Sequence, residues 1–361
     1  MKRLLCVLLA MILCVSVFSG CQGGTSQDTV ATTTEATVPD DGVTRILLIG
    51  HSLGNDSSFL LPQIAKNEGI QDLQFGVLYH SGCRLSQHVS FLKSNAREYA
   101  YYEFDLAEDL EWRRADCNGS FHRYGPGMAN DTAIKDGSIA QTMEFAIMRQ
   151  DWDIVILQAG AFEATGKPTT DSNLKTENIQ TIINYVLEKD IMPDTKPVFG
   201  WNMIWALPSD PDLVKESYEN RIASDFDGDH FSLYELGAKT VRDVIEPFYP
   251  MAYMMPSGTA VENAKSSYLE DKDIYRDYAH ATDFTRMMVA YLWLCELTGK
   301  SIDEMKLEGA IPAPMLTDDM MRLGKTDLVL TEAQKQILVE SVTNAFANPY
   351  EMTQSQYTTA P

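Results

Sequence analysis

Short apolar runs alternate with longer segments of helical spacing along most of the chain. The runs at 46–49, 74–79, 153–157, 197–204 and 251–255 are continuous rather than alternating, so they predict strands buried on both faces of a sheet. Residues 59–67, 139–148, 178–187, 233–244, 284–297 and 331–345 repeat apolar positions at three and four and predict helices. Two of these carry end signals. Gly299 stands where a C-cap is expected after 284–297, and Thr331, with Gln334 three residues on, opens the last helix. Such strand–helix alternation predicts an α/β fold around a central parallel sheet. Residues 80–136 break the rhythm; rich in aromatic and charged side chains, they are expected to form an insertion packed over one end of the sheet.

The N-terminal 43 residues do not share this pattern. Met1-Lys2-Arg3 is a basic start and residues 4–18 are apolar, too short a run for a lasting membrane span. Ser19 and Gly20 precede Cys21, an arrangement that resembles a bacterial lipobox, so residues 1–20 are expected to be a signal peptide and Cys21 a lipid anchor. Phe18 is an unusual neighbour for that motif, which leaves a plain cleaved signal as the alternative. Residues 22–43 are Thr, Ser, Gly and acidic residues with little apolar surface to offset the entropy of ordering, as in a flexible tether. The folded domain is placed at 44–348, followed by a polar tail at 349–361. The expected location is outside the cytoplasm, on the membrane through the lipid alone.

Charge narrows the partners. The full chain carries a formal −22, and losing Lys2 and Arg3 with the leader makes it −24, which argues against nucleic acid or an anionic membrane surface as a partner. Beyond the leader and anchor only Cys83, Cys117 and Cys295 remain, an odd number that implies no disulfide framework. Buried free thiols are expected, with a Cys83–Cys117 bridge as the alternative.

Ligands of open parallel sheets bind beyond the carboxyl ends of the strands. The residues just past each predicted strand are therefore informative. Gly50-His51-Ser52 comes after the first, His80-Ser81-Gly82-Cys83-Arg84 after the second and Gln158-Ala159-Gly160 after the third, while Asp277-Tyr278-Ala279-His280 precedes the strongest helix. A serine needs a base to become a nucleophile, histidine supplies one near neutral pH, and a carboxylate orients the imidazole. Ser52, His280 and Asp277 are the candidate nucleophile, base and orienting acid. The Ser52 and Gly82 backbone N–H groups and the Gln158 amide are candidate oxyanion donors.

This ordered set resembles the SGNH (GDSL-like) hydrolase superfamily: a Ser block after the first strand, a Gly block, an amide block and a D-x-x-H block. More narrowly, IGHSLGNDSSFLLPQIA, YHSGCRLSQH, WDIVILQAG, GWNMIWALP, PSGTAVENAKSS and RDYAHATDFTRMMVAYLWLCELTG resemble the bacterial DUF4886 group across most of 45–300. The resemblance implies a flavodoxin-like three-layer α/β/α sandwich and serine ester hydrolysis, with carbohydrate acetyl esters favoured among relatives. No cofactor or metal is expected, and the expected partner is a small-molecule or polysaccharide ester. The chain departs from the pattern at His51, where Asn is usual, at Gln158 in place of the superfamily's Asn, at Ala161, often Ser in the group, and at Tyr278-Ala279 inside D-x-x-H.

Gly50-His51-Ser52-Leu53-Gly54 also fits G-x-S-x-G, the nucleophile elbow of α/β-hydrolases. That elbow lies deep within its domain, whereas almost no folded chain precedes Ser52, so a Gly-x-Ser block is the preferred reading. Asp56 is expected to support the turn rather than react. His51 is expected to be structural first and a substrate contact second. Trp201 and Trp205, with Tyr101, Tyr102, Trp112, His122 and Tyr124 of the insertion, are candidate platforms for sugar rings. Asp225-Phe226-Asp227-Gly228-Asp229-His230 begins like a calcium loop, but His230 and Leu236 stand where Gly and Glu are required, so a solvated acidic turn is expected. Two further readings stand beside the esterase: a lipoprotein that binds glycans without turnover, and a lipase, weakened by the polar tether and the lack of an evident apolar lid.

Overall fold

The computed structural model describes residues 41–104, 112–123, 138, 140–167, 174–191, 195–310 and 327–361. The leader, Cys21, residues 21–40 of the tether and Tyr124 lie outside the described residues.

Eight strands form one sheet: β1 Thr44–Gly50, β2 Leu73–Tyr79, β3 Ala100–Phe104, β4 Trp112–Ala115, β5 Phe121–Arg123, β6 Ile154–Gln158, β7 Val198–Asn202 and β8 Tyr253–Met255. Their order is β5-β4-β3-β2-β1-β6-β7-β8. β2, β1, β6, β7 and β8 are mutually parallel. Ile46 to Ile49 and Ile154 to Leu157 are each 0–1% exposed at every position, so both faces of the sheet are covered. The result is an α/β fold with a mostly parallel, mixed sheet flanked by helices.

The parallel sheet expected from the sequence is therefore extended. Within the segment 80–136, β3, β4 and β5 pair antiparallel beyond β2 and continue the sheet. The charges that suggested an insertion have a structural use. Glu103, on the fully buried β3, accepts from Arg149 Nε and Nη2, both at 2.9 Å, and from Arg113 Nε at 2.8 Å. A paired and hydrogen-bonded carboxylate is tolerated in a core that would reject a lone one.

Helix boundaries also differ from the expectation. Two separate helices stand here, Ser52–Ser58 and Leu61–Asn67, the second opened by Pro62; only the second, placed at 59–67, was expected. The first escapes notice because SLGNDSS has no apolar stripe, yet Asp56, Ser57 and Ser58 are buried and the two hydroxyls donate back to Leu53 O and Gly54 O. Helix Met143–Ile147 is shorter than predicted, and Phe231–Thr240 continues as a π-turn over Val241–Ile245. Helix Asp283–Thr298 is buried from Phe284 to Cys295 and ends on Gly299 at φ +68°. Thr331 and Gln334 form the predicted capping box of Glu332–Ala347. The polar tail at 349–361 is docked through its middle: Asn263 Oδ1 accepts from Thr353 N, and Ser355 is buried against Glu340 and Ser266.

Candidate active site

β1 lies at the switch point of the sheet, since the chain leaves it toward β2 on one side and β6 continues on the other. Ligands of open α/β sheets bind at such a point, outside the strand ends. A cleft of about 570 Å³ opens there, and His51, Ser52, Gly82, Ala161 and His280 are among its lining residues.

His280 is delivered by a tight loop. Tyr275 bridges Ala281, Arg276 N donates to His280 O, and Thr282 N donates to Ile274 O. Within the loop, Asp277 Oδ1 accepts from the N–H groups of Ala279 and His280 at 3.0 and 2.9 Å. The His280 ring donates from Nδ1 to the same carboxylate, 2.9 and 3.0 Å from its two oxygens. Burial pushes the Asp277 carboxyl up, but the His280 ring and these N–H groups more than offset it and hold it at about 2. With Nδ1 occupied, Nε2 is the nitrogen left for chemistry. No hydrogen bond joins it to Ser52 Oγ, although both residues line the cleft.

Asp56 ties this loop to the serine helix. It is 1% exposed and accepts from Ala281 N at 2.9 Å, Arg276 Nη1 at 3.1 Å and Arg286 Nε at 2.9 Å. Burial raises its carboxyl, but Arg286, Arg276 and His280 overcome that and leave it below the ordinary carboxylate range. The supporting role expected of Asp56 is thus a geometric one: one carboxylate fixes the serine element and the histidine element in a single frame.

Three of the predicted site residues sit differently from the expectation. Gln158 is 1% exposed and does not border the cleft. Its Nε2 donates to His51 O at 3.5 Å and its Oε1 accepts from Asn202 Nδ2 at 3.1 Å, so its amide is committed beneath the site rather than to an oxyanion. It lies flat on two glycines. A Cβ at Gly50 would stand 2.7 Å from Gln158 Nε2, and one at Gly54 2.6 Å from Gln158 Oε1. Trp201 and Trp205 are each 1% exposed and cannot stack on a ligand; Trp205 Nε1 donates to Ala279 O at 2.9 Å and props the histidine loop from below.

His51 lines the cleft but offers it no polar atom. Nε2 donates to Ala159 O at 3.2 Å and Nδ1 accepts from Leu53 N at 3.4 Å. Burial, partly opposed by the Ala159 bond and aided by His280, pushes its pKa down to about 4, so the ring is neutral. Its role is to cap the Ser52 helix and join the ends of β1 and β6. Gly82 has φ +58° with open space at its Cβ position, so its backbone rather than crowding requires glycine. Cys83 is buried and burial pushes its thiol up, which leaves it inert. Cys117 and Cys295 are also free.

Tyr101, Tyr102 and Trp112 pack in the core, and His122 is exposed and pairs with Asp116. The aromatic residues that do line the cleft are Phe162, Tyr218 and Tyr278, joined by Arg84, Glu163, Lys215 and Arg221. Apart from Tyr278 and Arg84, these do not stand out in the sequence; the available signal was Lys215, Tyr218 and Arg221 at intervals of three on a helix with only Ile222 and Phe226 buried. In the acidic turn, Asp225 meets Arg221, Asp229 accepts from Phe231 N, and His230 meets Glu219. Among the described residues no three metal-ligating side chains come together.

A family profile described as "Domain of unknown function (DUF4886)" matches residues 127–309, half of the chain. The chain belongs to the DUF4886 family. The match takes in the Gln158 block and the Asp277–His280 loop and begins after Ser52 and Gly82. In three dimensions the chain is similar to the crystal structure of a DUF4886 family protein from Bacteroides uniformis ATCC 8492, with a TM-score of 0.63 at 20% identity, over 86% of this chain and 98% of that one. At that identity the likeness speaks for the fold. No curated protein matches the chain in sequence.

Proposed function

We propose that this DUF4886 protein is an SGNH-type serine esterase on a flavodoxin-like three-layer sandwich, acting outside the cytoplasm as a lipoprotein anchored through Cys21 and removing O-acetyl groups from carbohydrate. The observation that carries the reading is the Asp277–His280 pair, locked through Nδ1, on the wall of the cleft that Ser52 enters from the end of β1. Ser52 Oγ attacks the acyl carbonyl and His280 Nε2 takes its proton. Asp277 holds the tautomer and stabilises the imidazolium. The N–H groups of Ser52 and Gly82 receive the oxyanion, neither being spent on a backbone carbonyl. The alcohol leaves with the proton from His280, and a water activated by the same ring then releases the acyl group. Catalytic hydrogen bonds often tighten only with substrate bound, which accommodates the open Ser52–His280 spacing.

Release of p-nitrophenol from p-nitrophenyl acetate, and of acetate from acetylated xylan, tests the proposal. Ser52-dependent turnover supports it, whereas Ser52→Ala at full rate refutes it. A second reading, a glycan-binding lipoprotein without turnover, draws on the absent Ser52–His280 bond and the withdrawn Gln158 amide. It predicts glycan retention with no ester cleavage by either protein.

A further inference from the structure

The cleft carries charge of the opposite sign to the chain. Against a formal −22 overall, its charged lining includes three cations, Arg84, Lys215 and Arg221, and one carboxyl, Glu163, both of whose oxygens accept from Leu85 N. The cations are arranged on an aromatic row. From His280 the rings run edge-to-face through Tyr278, Tyr218 and Phe162, with centroid separations of 5.7, 5.4 and 5.5 Å. Lys215 Nζ stands 5.0 Å from the Tyr278 centroid and 5.3 Å from that of Tyr218, and the Arg221 guanidinium stands 4.0 Å from that of Phe162. Lys215 has no carboxylate partner among the described residues, while Arg221 Nε shares Asp225 at 3.4 Å. Of the acids on the same helix, Glu219 is engaged with His230 and Glu216 is exposed. An ammonium held over ring faces is oriented without being neutralised. In so acidic a protein, a local cluster of cations makes this cleft a place where anions are attracted.

We propose that Lys215 and Arg221 form an anion-recognising subsite beside Ser52, so that the substrate is an acyl ester of an anionic saccharide whose carboxylate or sulfate they hold while Tyr218 and Tyr278 flank the sugar. The inference rests on the esterase reading of the same cleft and narrows its substrate class. Arg221 supplies a guanidinium charge held over Phe162, its Nε shared with Asp225, and Lys215 a point charge nearer the histidine.

The test compares O-acetylated oligogalacturonate, an O-acetylated sulfated galactan and acetylated xylo-oligosaccharide as substrates for the full chain. The expected result is a kcat/KM at least about tenfold higher on one of the two anionic esters than on the neutral one, a ratio that falls about tenfold in Lys215→Met and in Arg221→Met and shrinks with added salt. The two anionic arms separate carboxylate from sulfate. Lys335→Met, on the helix Glu332–Ala347, removes the same charge elsewhere and leaves the ratio unchanged. Calorimetry with the de-esterified anionic and neutral saccharides reads the subsite without turnover. Anion-selective binding lost in Lys215→Met, with no ester cleaved, keeps the subsite and removes the esterase. Ser52-dependent cleavage with no anionic preference and no anion-selective binding overturns the subsite and leaves the esterase standing.

Discussion

Gly50 and Gly54 bracket Ser52 because the Gln158 amide lies against both, not because a nucleophile elbow is present. The G-x-S-x-G pattern was legible in the sequence, but its cause was not, since nothing local shows that a side chain more than a hundred residues away fills the space of two Cβ atoms. Gly54→Ala must displace both Gln158 and Leu48, whose nearest atoms would stand at 2.6 and 2.9 Å, and is expected to cost about 1–3 kcal/mol in urea unfolding. The Asp277–His280 pair was legible, because a spacing of three within one turn lets a carboxylate reach its own loop's imidazole. Asp277→Asn keeps the shape but loses the preference for the Nδ1–H tautomer. A fall in kcat of up to about ten-thousand-fold with little change in KM is expected in steady-state ester hydrolysis.

Among the elements, the five parallel strands and the apolar helices were legible, because continuous apolar runs and 3.6-residue spacing report burial directly. What stayed hidden were elements whose burial is polar. Helix Ser52–Ser58 buries Asp56, Ser57 and Ser58, the two hydroxyls satisfied within the helix and Asp56 by distant segments, and β3 buries Glu103 against Arg113 and Arg149. Composition reads such stretches as surface. The same property makes the Asp56 frame fragile. Asp56→Asn removes the Asp56 charge from the fully buried Arg286 and leaves one acceptor oxygen where two served Arg286 and the Ala281 N–H, so a loss of about 3–5 kcal/mol is expected by chemical denaturation. Because the frame joins the serine helix to the histidine loop, ester turnover by the folded variant is expected to fall as well, although Asp56 touches neither reacting group.

At the scale of the molecule, acidity and burial set the response to pH. Glu163 is buried at the cleft, and burial, opposed by the Leu85 and Gly160 N–H groups and by Arg84, pushes its carboxyl from 4.5 up to about 7. The folded state then holds a proton that the unfolded state has released. Its contribution is fully present below pH 4.5 and is lost as pH rises through about 7. Asp283, also raised by burial, to about 6, acts in the same direction. A decline in stability of order 1–3 kcal/mol over that window is expected from Glu163, and thermal melts of Glu163→Gln should show a shallower one. Asp277 works oppositely: its contribution is present above about pH 4 and fades as pH falls toward about 2. The strand order that places the cleft beyond β1 and β6 was legible only in part, since the sequence announced the parallel core but not the antiparallel extension or the docked C-terminus. The proposed chemistry rests on one oxygen atom at the end of β1, and covalent labelling with a fluorophosphonate reads it most directly. A single adduct is expected, located by mass spectrometry on Ser52 and abolished by His280→Ala. A folded protein that remains unlabelled, or carries its adduct on another serine, would contradict the assignment of Ser52 as nucleophile.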